Sequence, residues 1–191
     1  MRQETTEVLD ALSRTGLLLK QDKQAFNVVS LLTGETLRSS WWSHPRGRLI
    51  FAVLSELDDH PDVLFTKLLD GKVTLVHQML WPAFLAVAME GAEWQLEGLS
   101  QPARDLLTSV NESKTPIRAS GAAVKELETR LLVHSEEVHT DSGRHAIELK
   151  TWTAWAKHAG TKPLRSTTDA REQLEAAAAA IGASPTALPW Q

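Results

Sequence analysis

The run "DVLFTKLLDGKVTLVHQ", residues 62–78, leaves its chain little conformational freedom. Asp70-Gly71 suits the two positive φ angles of a type I′ turn, and β-rich stretches flank it on both sides. This predicts a hairpin, with strands near 63–69 and 72–78. Pairing about that turn sets Leu64, Thr66 and Leu68 on one face with Val73, Leu75 and His77. A two-stranded ribbon is marginal alone in water, so helices must cover it.

The helices announce themselves by spacing and punctuation. "TTEVLDALSRTG" starts at a Thr5 or Thr6 cap, carries Val8, Leu9 and Leu12 on one side, and stops at Gly16. "AFNVVSLLTGE" is a short helix stopped by Gly34 or a strand, since its β-branched pair suits both. "RLIFAVLSELDD" is an amphipathic helix with Leu49, Ile50, Val53, Leu54 and Leu57 on its buried face. "WPAFLAVAMEGA" is a helix with Pro82 in its first turn and Gly91 near its end. After the linker "GTKPLRSTT", "DAREQLEAAAAAIG" has Asp169 as cap, Glu172 completing a capping box and Gly182 as stop. "ASPTALPWQ" reads as a loose tail.

Residues 99–155 have the clearest organisation. "SQPARDLLTSVNE" is a helix capped by Ser100, and "TPIRASGAAVKELETR" gives a turn and a second helix with Val124, Leu127 and Leu131 inward. "LLVHSEEVHT" and "HAIELKTW" are strands joined around "DSGR". A two-residue Ser142-Gly143 loop pairs Val138 with Ile147 and Glu136 with Leu149, whereas a longer loop would set Ile147 against Glu137. Helix, turn, helix and hairpin, in that order, resemble a winged helix-turn-helix. The resemblance implies a DNA-binding domain in which the helix before the hairpin enters the major groove and the hairpin touches the backbone. The segment from "SSWWSHPRG" through "KVTLVHQMLWP" resembles a conserved bacterial type to which no activity attaches. The expected architecture is α+β: an N-terminal helical and hairpin domain over 1–95, a winged-helix-like domain over 96–159, and a linker, Ala-rich helix and tail over 160–191.

Composition narrows the function classes. Apolar residues at 42% and charged residues at 23% are ordinary for a globular protein. The longest apolar stretch, "MLWPAFLAVAM", is too short to span a bilayer, and "MRQETTEVLD" lacks the apolar core of a signal peptide, so a cytoplasmic protein is expected, with no membrane partner. There is no cysteine, which excludes disulfides, thiolate catalysis and Cys-type zinc sites. A net charge of −4 gives no global attraction to nucleic acid, so any such binding needs a local basic face.

Two places supply basic side chains. In the winged-helix-like segment the candidates are Arg118, Lys125 and Arg144, although acids and bases balance over 99–158. Arg144 at the wing tip and Arg118 before the helix are better placed than Lys125, which shares the candidate recognition helix with Glu126 and Glu128. In "RSSWWSHPRGR", residues 38–48, Arg38, Arg46 and Arg48 accompany Trp41, Trp42 and His44 with no acid among them, and Lys67 and Lys72 on the Asp-Gly hairpin extend the set. Tryptophan stacks on bases and arginine meets phosphates, which is the chemistry of single-strand recognition. The competing reading is a helix start, with Pro45 in the first turn.

Catalytic patterns are weak. His139, Asp141 and His145 gather near the second turn, and "ELDDHPD" gathers acids beside His60, but capping explains the latter more simply. No phosphate loop, nucleophile elbow or zinc-protease helix occurs, and no cofactor or metal is expected. The expectation is therefore a non-catalytic nucleic-acid-binding protein, with DNA as the polymer. The alternatives are a winged helix serving protein interaction or self-association through the C-terminal helix, and an enzyme acting on nucleic acid.

Overall fold

Asp70 and Gly71 turn the chain with φ of 52° and 63°, the two positive angles that a type I′ hairpin demands. A computed structural model describes residues 1–139 and 145–191. The chain is α+β and separates into two compact units, residues 1–81 with 171–189 and 191, and residues 82–170 with 190. Among the described residues no helix is long and apolar enough to cross a membrane.

The first unit holds α1 (Gln3–Thr15), β1 (Leu17–Leu19), α2 (Val28–Thr33), α3 (Gly47–Asp58), β2 (Val63–Leu69) and β3 (Lys72–His77). Its sheet runs β1-β3-β2, antiparallel throughout. Strand β1 has no signal in the sequence pattern: "LLL" is wholly buried and pairs Leu18 with Leu75. Helix α2 resolves the helix-or-strand ambiguity. Asn27 accepts from the Ser30 N–H, Ser30 answers with its hydroxyl at the Asn27 N–H, and Gly34 closes the helix at φ 78°.

Register in the hairpin departs from expectation. Leu69 faces Lys72 at the turn, but beyond it Phe65 faces Leu75 and Thr66 faces Thr74. The cause is a bulge between Thr66 and Leu69. The buried Thr74 hydroxyl accepts from the Leu69 N–H at 3.3 Å and donates to the Lys72 carbonyl at 3.1 Å, which absorbs the extra residue.

The N-terminus differs too. Helix α1 begins at Gln3, so Thr5 is inside it rather than capping it. Thr5 is fully buried and donates its hydroxyl to Glu56 of α3 at 2.6 Å, while Arg2 binds the same carboxylate through its backbone and guanidinium.

The second unit contains most of α4 (Trp81–Ala88), then α5 (Glu93–Leu96), α6 (Gln101–Glu112), β4 (Ile117–Ala119), α7 (Ala122–Thr129), β5 (His134–His139), β6 (His145–Lys150) and α8 (Trp152–Ala159). Ser100 caps α6 as expected, accepting from the Ala103 N–H. Strand β4 likewise lacks a sequence signal, and it makes the sheet β4-β6-β5 with β6 central. This explains the corrected hairpin register: Glu137 faces Ile147 and Ser135 faces Leu149, not Val138 with Ile147. The apolar partners of Leu149 and Ile147 are Ile117 and Ala119 on β4, so the core does not need them from β5. Leu99, Ala103, Val110, Val124, Leu127 and Val133 complete that core.

Helix α9 (Thr167–Ala180) begins in the second unit and continues in the first. Its cap is Ser166, whose hydroxyl accepts from the Asp169 N–H, and not Asp169. Within the first unit Leu174, Ala177, Ala178 and Ile181 are buried. The tail is also packed, not loose: Ala187 and Leu188 are buried, and the Ala187 carbonyl accepts from the Asp70 N–H at 2.7 Å.

Candidate functional site

The segment between α2 and α3 folds against the first unit through its backbone. Gln21 donates to the Ser39 carbonyl at 2.8 Å, and the Arg46 guanidinium donates to the Leu32 carbonyl. Residues 41–43 form a 3₁₀ turn. His44 braces the entry to α3: its Nδ1 accepts from the Arg46 N–H at 3.1 Å, so Nε2 carries the hydrogen and meets Glu35 at 3.2 Å. His44 is therefore occupied within the loop, and not presented as a ligand contact.

The two adjacent tryptophans have opposite fates. Trp41 is 5% exposed and enters the core, whereas Trp42 is 64% exposed. Their rings stack with centroids 4.0 Å apart and planes at 24°, and Phe51, 54% exposed on α3, lies 5.6 Å from Trp42. Trp42 is thus a platform with a buried ring behind it and a second ring at its edge. Gly47 lets the turn pack closely on the start of α3, because a Cβ there would sit a tight 3.1 Å from the Trp42 carbonyl and 3.2 Å from that of Trp41.

Apart from Glu35, which meets His44, the charged side chains of this segment are basic. Residues 36–55 hold Arg38, Arg46 and Arg48 and no Asp or Glu. All three arginines are exposed, and among the described residues none pairs with a carboxylate. Helix α3 adds to this, since its first turn has no acid and no side-chain cap, leaving the positive end of its dipole uncompensated.

Elsewhere the expected contacts are committed. Lys72 binds Asp22 at 2.9 Å and Asp70 at 3.1 Å, so it does not extend the basic face. Burial works against the Asp22 carboxylate, but hydrogen bonds from Lys72, Ala25 and Gln24 outweigh it and hold its pKa at about 2. Arg118 pairs with Glu148 directly across β4 and β6 at 2.9 Å. Lys125 is exposed on α7. Arg144 and Asp141 lie outside the described residues, as do the side chains of His139 and His145. The acids of α7 are structural: Glu126 accepts from the Ser100 N–H and hydroxyl, and Glu128 is buried against the Ser135 hydroxyl at 2.6 Å.

Comparison with protein-family models, curated proteins and solved structures returns no match. Among the described residues no group of histidines and acids is arranged to hold a metal ion. His77 faces Val63, and burial lowers its pKa while the Asp62 charge opposes that shift. Phe51 is the one member of the face that sequence reasoning missed. A signal existed: in "RLIFAVLSELDD" it is the large apolar residue standing outside the buried stripe.

Proposed function

We propose that the protein is a non-catalytic nucleic-acid-binding protein whose contact surface is the face over residues 38–51, with DNA as its polymer. The observation that carries this reading is the exposed indole of Trp42, backed by Trp41, in a segment whose Arg38, Arg46 and Arg48 pair with no carboxylate among the described residues. An aromatic platform meets bases, and arginine forks meet phosphates. The net charge of −4 does not oppose this, because the basic side chains are local.

The second unit is read as winged-helix-like on its order of helix, strand, helix and hairpin and on its three-stranded sheet. The link between α6 and α7 holds β4 and is longer than the short turn of a helix-turn-helix. The commitment of Arg118 and Glu126 to partners within the unit favours a second reading for it, as a module for protein interaction. The apolar side of α9 is buried within its own chain, so as a self-association surface it offers Thr168, Asp169, Glu172, Gln173, Ala176, Ala179 and Ala180, polar or small side chains throughout.

Anisotropy of labelled DNA, read between about 50 mM and about 200 mM salt, tests the proposal. Binding that weakens with salt is expected, and Arg38→Ala or Arg48→Ala should each flatten the log–log slope by about 0.7 to 0.9. Absence of binding at the lower salt overturns it.

A further inference from the structure

We infer that the strand held at this face is unpaired, and that one base stacks on the outer side of Trp42. The inference rests on the nucleic-acid reading and specifies it. In a duplex every internal base has neighbours stacked on both faces, so none is available to a protein ring without costly flipping. Trp42 already has one face closed by Trp41 at 4.0 Å, yet the residue as a whole is 64% exposed, with Phe51 beside it. A ring so placed gains by capping a free π-face, and a sugar–phosphate backbone has none.

The electrostatics agree with the same occupant. Arg38 and Arg48 flank the platform in sequence without carboxylate partners among the described residues, while Arg46 is anchored at the Leu32 carbonyl and so sits at a fixed place. A groove reader of duplex DNA needs an element that enters the major groove and several side chains aimed at base edges. The 38–51 segment instead presents one aromatic platform and three exposed arginines close to it in sequence. Its recognition is of base planes, and it is tolerant of sequence because every base has such a plane.

The experiment compares three labelled ligands on the full chain at low salt: an oligothymidylate of about twelve residues, its duplex with oligoadenylate, and an abasic strand of equal length. The oligothymidylate should bind about tenfold or more tighter than either of the others. Trp42→Ala should remove that advantage and Trp42→Phe should restore most of it. Trp42 is exposed, so neither change threatens the fold, and far-ultraviolet circular dichroism verifies this. Equal binding of all three ligands, or an unchanged advantage in Trp42→Ala, overturns the inference while leaving the nucleic-acid reading standing. Binding of none overturns both and leaves the face to a protein partner.

Discussion

Gln95 and Arg130 hold each other by exchange: the Gln95 amide donates to the Arg130 carbonyl at 3.2 Å, and the Arg130 guanidinium donates back to the Gln95 carbonyl at 3.4 Å. Gln95 is fully buried and also binds the Ala92 N–H and the Ala88 carbonyl, and Arg130 reaches the carbonyls of Trp94 and Glu97. One polar pair thus closes the ends of α4, α5 and α7 within the second unit. It also accounts for Arg130, a basic side chain that serves the fold and has no free fork for a phosphate.

Replacing Gln95 by Leu keeps the volume but strands buried carbonyls and an N–H. The expected loss is about 2 kcal/mol or more, the scale for leaving such groups unpaired. Urea unfolding measures it. Arg130→Lys should lose part of the same stability, because one ammonium cannot replace a fork aimed at several carbonyls.

His134 gives the stability a pH dependence of known sign. It is buried against Trp152 and Trp155, its Nδ1 has no hydrogen-bond partner among the described residues, and burial, with the Lys150 charge, lowers its pKa to about 3. The unfolded imidazole titrates near its ordinary value of 6.5 and so binds a proton that the folded one refuses. Stability is therefore full above that value and falls as the pH drops toward 3, by up to ~1.4 kcal/mol per pH unit. Urea midpoints across this window should show the slope, and His134→Phe should reduce it by about one proton.

How much was legible depends on how local the cause was. The Asp70-Gly71 turn, the Ser100 cap and the buried stripe of α3 depend on neighbouring residues, and each is present in the fold. Strands β1 and β4 have three residues each, too short to display an alternation, and they exist because distant strands need a neighbour. The bulge depends on where the Thr74 hydroxyl lands, which no pattern of hydrophobicity encodes. The packed tail is a matter of docking, invisible in its composition. At the candidate face the residue types were legible and their orientation was not: adjacent, identical side chains at 41 and 42 divide between core and solvent.

Lys72 separates folding from binding. Removing it exposes Asp22 and Asp70 to one another's charge and lets the Asp22 pKa rise from about 2, although the Ala25 and Gln24 N–H groups still hold it down. Lys72→Met should cost on the order of 1 kcal/mol, discounted for the lysine's exposure. The contribution of Asp22 is present above its unfolded pKa and disappears as the pH falls toward 2, so the difference between variant and wild type should shrink in acid. Affinity for DNA should stay within about twofold, since this ammonium is already taken.

Gly47→Ala tests whether the platform's position matters independently of its chemistry. At the start of α3 alanine favours the helix by up to about 1 kcal/mol. Opposing this, the new Cβ meets the Trp42 and Trp41 carbonyls at 3.1 and 3.2 Å, so the 3₁₀ turn must shift by a few tenths of an ångström. Because these effects oppose, the urea midpoint should change little. The stack between Trp41 and Trp42 should not survive unchanged, and exciton coupling between adjacent indoles in the near-ultraviolet reads it directly. Weakened coupling with reduced oligothymidylate affinity at near-constant stability is the expected result. Unchanged affinity despite altered coupling would mean that the ligand does not use the outer face of Trp42.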